Sequence, residues 1–152
     1  MDIVKTIEVK EYKKIYINFL TLMCIMIAGT FFMLKTGVFV KRPPEESIQL
    51  RRILVIGLVL TSIIYSYYQK VQKDKLRAFI EFEDKKLFHL KYYKIRILWF
   101  VLSCLASCIL FLVVANWFFF YFALFELLLM FITFPNRYFF KREMNEDDIV
   151  FV

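Results

Sequence analysis

The chain has 152 residues, of which 61% are hydrophobic and 20% aromatic, with 19 Phe, a mean hydropathy of +0.59 and a formal net charge of +7. That much apolar side chain exceeds what one soluble domain of this length can hide, so a water-soluble globular fold is excluded and a bilayer is the expected solvent. The basic excess carries no finger, RNP-like or helix-turn-helix pattern, so nucleic acid is not an expected partner; lysines and arginines flanking apolar runs point to anionic lipid and to topology.

The apolar residues fall in blocks of bilayer length, and four spans are expected. The first runs from Ile15 to Leu34 without a formal charge, between Lys13-Lys14 and Lys35. Residues 2 to 14 are rich in charge, and no short apolar region with a small-residue cleavage site follows. The first helix is therefore expected to stay as an anchor. The connection after it contains Pro43-Pro44 and then Glu45, Glu46 and Ser47. A stiff extended turn is expected there, leading into a helix whose dipole favours the acids.

The second span runs from Ile53 to Gln69, short unless Arg51, Arg52 and Lys70 snorkel to the interface. Residues 70–96 form the one sizeable polar connection. Its first half suits a helical continuation at the membrane surface, and the alternation from Ile80 to Glu83 suits a small hairpin. Lys70, Lys73, Lys75, Arg77, Lys85, Lys86, Lys91, Lys94 and Arg96 are its candidate contacts to lipid or to a partner.

From Ile97 to Phe134 the chain is apolar for 38 residues, broken by one plausible turn at Asn116-Trp117. Two spans, 97–115 and 118–134, are expected, the second stopped by Pro135. Tyr12, Tyr16, Tyr65, Tyr67, Tyr68, Tyr92, Tyr93, Trp117 and Tyr138 gather where rings would meet headgroups. The tail from Glu143 to Asp148 is acidic and ends in four apolar residues, a pattern of a disordered end or a short partner-binding strand, with disorder the simpler expectation. The fold class expected is thus all-α: one integral membrane domain of four transmembrane helices arranged as two helical hairpins.

Lys and Arg number four before the first span, nine in the second connection and three in the tail, sixteen in all, against five in the first connection and none at the Asn116 turn. The positive-inside bias places both termini in the cytoplasm, with a bacterial inner membrane as the expected setting.

Chemistry is sparse. The single histidine, His89, lies in the polar connection, which removes paired haem ligands and the commonest metal ligand from the spans. Three glycines cannot build a phosphate loop, and no span holds the lysine a Ser-Lys pair needs. Cys104 and Cys108 are four apart, unlike a C-x-x-C redox pair, and with Cys24 are expected to be packing residues. No catalytic residue, cofactor or metal is expected.

Glu126 is the exception, the only acidic residue inside an apolar run. At such a depth a carboxyl is a functional group or a fastener between helices. Residues equidistant from the Asn116 turn pair it with Ser107, within a small, weakly polar patch that includes Ser103, Cys104 and Cys108. A hydrogen bond to Ser107 or a neighbour is expected, from a carboxyl kept neutral by desolvation. Thr21, Cys24 and Ala28 on the first helix and Gly57 with Thr61 on the second are the expected helix-packing surfaces, within the bundle or against other subunits. The expectation is a small accessory or assembly subunit with other membrane subunits, or copies of itself, as partners; the alternative is a proton- or cation-coupled channel or transporter component using Glu126.

Overall fold

The structure is a computed structural model that describes residues 5–37, 48–145 and 149–151. Its regular elements are helical apart from one short strand pair. They are β1 (Thr6–Ile7), α1 (Val9–Thr36), α2 (Ile48–Ala78), α3 (Phe82–Val114), α4 (Trp117–Ile132), α5 (Arg137–Met144) and β2 (Val150–Phe151). The Pro43-Pro44 turn and its acids lie outside the described residues.

Three helices, α1, α2 and α3, are long and apolar enough to cross a membrane. Their 28, 31 and 33 residues would extend about 42 to 50 Å at 1.5 Å per residue, beyond a hydrocarbon core of roughly 30 Å. The bent pair of α4 and α5 makes a fourth candidate; the two helices meet at 87°. The protein is thus an all-helical chain whose long apolar helices fit a membrane-embedded bundle.

α3 is the central helix. From Lys85 through His89, Tyr92, Tyr93, Arg96 and Ile97 to Phe111, its buried residues recur at three- and four-residue spacing along one stripe. α1 and α4 pack on this stripe, and α2 also lies against α3, with Leu54, Val55 and Leu58 meeting the cluster around Phe111 and Val114. The core joins Tyr12, Tyr16, Met23 and Ile27 of α1 to Tyr93, Ile97 and Cys104 of α3, Met130 of α4 and Phe140 of α5. A smaller cluster around Phe111, Val114 and Phe119 closes the opposite end.

That opposite end turns tightly. Ala115 takes a left-handed conformation (φ 51°) as the C-cap of α3, and the Asn116 side chain accepts a hydrogen bond from the Phe118 amide to start α4.

The polar connection 70–96 is not a separate piece. α2 continues through it to Ala78, the chain turns at Phe79 to Glu81, and α3 begins at Phe82, so no hairpin forms. Glu83 and Asp84 in the first turn of α3 suit its dipole, which favours helix over strand there.

The fourth helix ends at Ile132, two residues before Phe134, and the tail is ordered at both its described parts. Asn136 caps α5 by accepting from the Phe139 amide at 2.7 Å. Phe139, Phe140, Glu143 and Met144 of α5 are buried. β2 then pairs in parallel with β1, Thr6 opposite Val150 and Ile7 opposite Phe151. The disorder expected from Glu143 onward is corrected for the described residues of that segment: Glu143 and Met144 are buried, Ile149 enters the core, and Val150 and Phe151 find the chain's own β1 as partner.

Candidate functional site

The end of the bundle that carries β1, β2 and α5 is its base, and there the ionisable side chains converge. His89, Tyr92 and Arg96 fall three, four and seven residues apart, so one face of α3 presents all three. α1 contributes Tyr12, α2 Lys73 and α5 Glu143. Glu143 and Arg96 are both buried and meet fork to fork, Nη1 to Oε1 at 3.2 Å and Nη2 to Oε2 at 2.8 Å. Lys73 Nζ stands 3.1 Å from Oε1 of the same carboxylate. The Tyr92 hydroxyl accepts from Arg96, whose guanidinium lies 4.4 Å from the Tyr92 ring centre.

His89 Nε2 is 3.7 Å from Glu143 Oε2, too long for a direct hydrogen bond but near enough for the carboxylate to favour a proton on that nitrogen. Nδ1 is then the acceptor, and the Tyr12 hydroxyl donates to it at 3.1 Å. Burial pulls the imidazole below its ordinary value of 6.5, and although Glu143 opposes this, the ring stays neutral at pH 7. Burial would push the Glu143 carboxyl up, yet His89, Arg96 and Lys73 hold it well below the usual carboxylate range. The cluster is one carboxylate shared by two cations and a neutral ring.

Glu126 is buried on α4, and Ser103 Oγ donates to its Oε1 at 2.9 Å. Of the patch expected to hold the acid, Ser107 or a neighbour, the donor is Ser103, one turn before Ser107. Ser107 is buried beside it but donates to the Ser103 carbonyl at 2.8 Å, which uses its only proton. Cys104 and Cys108 are buried on the same stripe of α3, and Glu126 Oε2 has no hydrogen-bond partner among the described residues.

Acid and cluster open onto one cleft of about 390 Å³ between α2, α3, α4 and α5. α2 lines it with Ser62, Ser66, Gln69 and Lys73, a stripe at helical spacing. α4 adds Phe122, Phe125, Glu126 and Leu129, and Arg96, Arg142 and Glu143 stand at the base. The sequence reading did not join His89, Arg96 and Glu143, because they belong to a loop and a tail in linear order. The helical spacing of His89, Tyr92 and Arg96 was the signal that could have linked the three residues that α3 gives to the cluster.

The other sequence candidates divide. Among the nine cations of 70–96, Arg96 and Lys85 are buried, which corrects their expected place as surface contacts; Arg96 turns inward because Glu143 supplies a countercharge. Lys94 pairs with Glu11 at 3.1 Å across an exposed surface, and Lys86 with Glu83 at 3.6 Å. Lys70, Lys75, Arg77 and Lys91 are exposed. Thr21, Cys24 and Ala28 are exposed, so the expected packing face of α1 is not the one used within the bundle. Met23, Ile27 and Thr30 are buried instead, because they share a face with Tyr12 and Tyr16. Gly57 and Thr61 also face outward, and a Cβ on Gly57 would meet nothing within 4 Å.

Among the described residues no group of three His, Cys, Asp or Glu side chains is placed to hold a metal ion. Comparison of the chain with protein-family models, curated proteins and solved structures finds no match in any of the three.

Proposed function

We propose that the chain is a small non-catalytic accessory or assembly subunit of a larger membrane complex, with four transmembrane helices as two hairpins and both termini in the cytoplasm of a bacterium. Its partners are other membrane subunits or further copies of itself, and anionic lipids meet its basic surface. The observation that carries this reading is α2. One flank of α2 lies on α3, while Ile53, Ile56, Leu60, Ile63 and Ile64 are exposed around Gly57 and Thr61. Small residues on an outward apolar face let a neighbouring helix approach closely, whereas contact with lipid alone gives them no role. The ionisable groups at the base support the same reading, since they bind one another and fasten α1, α2, α3 and α5.

Purification in mild detergent, with identification of whatever co-elutes, tests this. A defined partner or homo-oligomer is expected, and Gly57→Leu with Thr61→Leu should reduce its recovery at least about five-fold while the chain's own melting temperature holds. A lone, monodisperse monomer defeats the proposal.

A second reading has one observation in its favour: the cleft joins Glu126 to the charged base, a polar route for a proton- or cation-coupled component. Flux into liposomes that Glu126→Gln abolishes would establish it in place of the first.

A further inference from the structure

We propose that the cleft between α2 and α4 binds one anionic phospholipid, its phosphate held by Lys73 and Arg142 at the base and one acyl chain lying along Phe125 and Leu129. This goes beyond the subunit reading and does not depend on it.

Four features lead to that occupant. The first is the direction of α2. Its aliphatic face points outward, while Ser62, Ser66, Gln69 and Lys73 face the cleft, so the helix gives its polar stripe to a space the chain itself leaves unfilled. The second is charge. Lys73, Arg96 and Arg142 line the base against a single carboxylate, Glu143, and a phosphate would balance the excess.

The third is an unmet polar atom. Glu126 is 3% exposed, lines the cleft, and its Oε2 lacks a hydrogen-bond partner among the described residues; Arg96 Nε, at the base, lacks one among them too. Ser103, which holds Glu126, is seven residues along α3 from Arg96, about 10 Å at 1.5 Å per residue. That spacing puts the acid above the phosphate, away from the base, beside the ester linkage and the start of the acyl chain of a lipid whose headgroup sits at the base.

The fourth is the walls. About 390 Å³ lies within the roughly 300–1,000 Å³ of ordinary small-molecule sites, and the lining above the charges is Phe122, Phe125, Leu129 and Ile132. Free phosphate has no use for that apolar half. An acyl chain fits it, and two of the helices that line the cleft, α2 and α3, are of membrane-crossing length.

Native mass spectrometry of the full chain, released from nanodiscs of equal phosphatidylglycerol and phosphatidylethanolamine, tests the proposal. The expected result is one retained phosphatidylglycerol per chain in preference to phosphatidylethanolamine. Lys73→Gln with Arg142→Gln should lower that retention about ten-fold, the scale of losing charge-assisted hydrogen bonds. Arg142→Gln alone, at an exposed position, serves if Lys73→Gln disturbs the Glu143 cluster, and should lower retention in the same direction. Leu129→Trp fills the apolar half without changing charge and should also lower it. Lys14→Gln with Lys91→Gln removes equal charge elsewhere and should leave retention unchanged. Equal retention of the two lipids, no retained lipid, retention indifferent to Leu129→Trp, or equal loss in the Lys14/Lys91 control each overturns the proposal.

Discussion

Glu143 is the residue on which the base turns. Its carboxylate faces Arg96, Lys73 and His89, and removing it leaves a buried guanidinium without a countercharge. Breaking a buried pair in this one-sided way costs about 3–5 kcal/mol, so Glu143→Ala should lower the thermal midpoint in detergent sharply, and Glu143→Gln by less. The pH dependence follows from two groups of the same sign. His89 is depressed below 6.5 in the fold, so as pH falls through 6.5 the unfolded chain takes up a proton that the folded chain refuses. Glu143 is depressed too, so its contribution is full above the ordinary carboxylate range and is lost as pH falls through and below that range. Stability should therefore decline in two stages on acidification, and His89→Gln should remove the first of them; a midpoint flat from pH 7 to about 5 in the unsubstituted chain would contradict this. At this scale the sequence yields Glu126 readily, since an acid in an apolar run is visible by contrast. It yields Glu143 and His89 poorly, since charged residues in charged segments look solvated until the fold brings them together.

At the scale of elements, long periodicity is legible and short order is not. The apolar blocks mark the existence of α1 to α4 and the turn between α3 and α4, and Asn116 and Pro135 mark the breaks because capping and the missing proline donor are local effects; they miss that α2 runs on nine residues past Gln69 and that α3 begins fifteen residues before Ile97, because those extensions are polar. α5 is eight residues, too short to hold on propensity alone; it exists because Phe139, Phe140 and Met144 find the core. β1 and β2 are two residues each and pair across the length of the chain, so the sequence shows at most an apolar end that could be a strand and nothing that names β1 as its partner. The outward face of Thr21, Cys24 and Ala28 removes only the first of its two expected uses, packing within the bundle, since small residues signal close packing but not with whom. The strand pair gives a specific expectation. Val150 N donates to the Lys5 carbonyl at 2.8 Å, and Ile149 is buried against the core. Deleting residues 149–152 should raise amide exchange in the peptide spanning Lys5 to Val9 about ten-fold or more, while the core of α3 keeps its protection. Unchanged exchange there would mean that β1 is held without β2.

At the scale of the whole molecule, the two strands constrain how the chain crosses a membrane. β1 lies beside β2, Tyr12 of α1 meets His89 of α3, and Glu143 of α5 meets Arg96, so both described ends of the chain stand at the base. A chain whose ends share one side crosses an even number of times. Within the bundle α4, at 16 residues and about 24 Å, returns the chain from the Asn116 turn to the base, and counted as a crossing it makes the number even, as the proposed four spans require. Its length is short for a bilayer, and the 87° turn into α5 keeps the tail near that level. Which side the base occupies is then a matter of charge, and sixteen of the 21 lysines and arginines lie in the segments assigned to it. Cysteine labelling reads this directly, in a chain with Cys24, Cys104 and Cys108 replaced by Ala. Ile80→Cys, at the fully exposed turn between α2 and α3, should react with a membrane-impermeant maleimide only after cells are permeabilised. Thr36→Cys, at the far end of α1, should react in intact spheroplasts. If both sites label alike, the bundle does not separate them across a membrane; if the pattern reverses, the base faces outward and the positive-inside bias has been overridden.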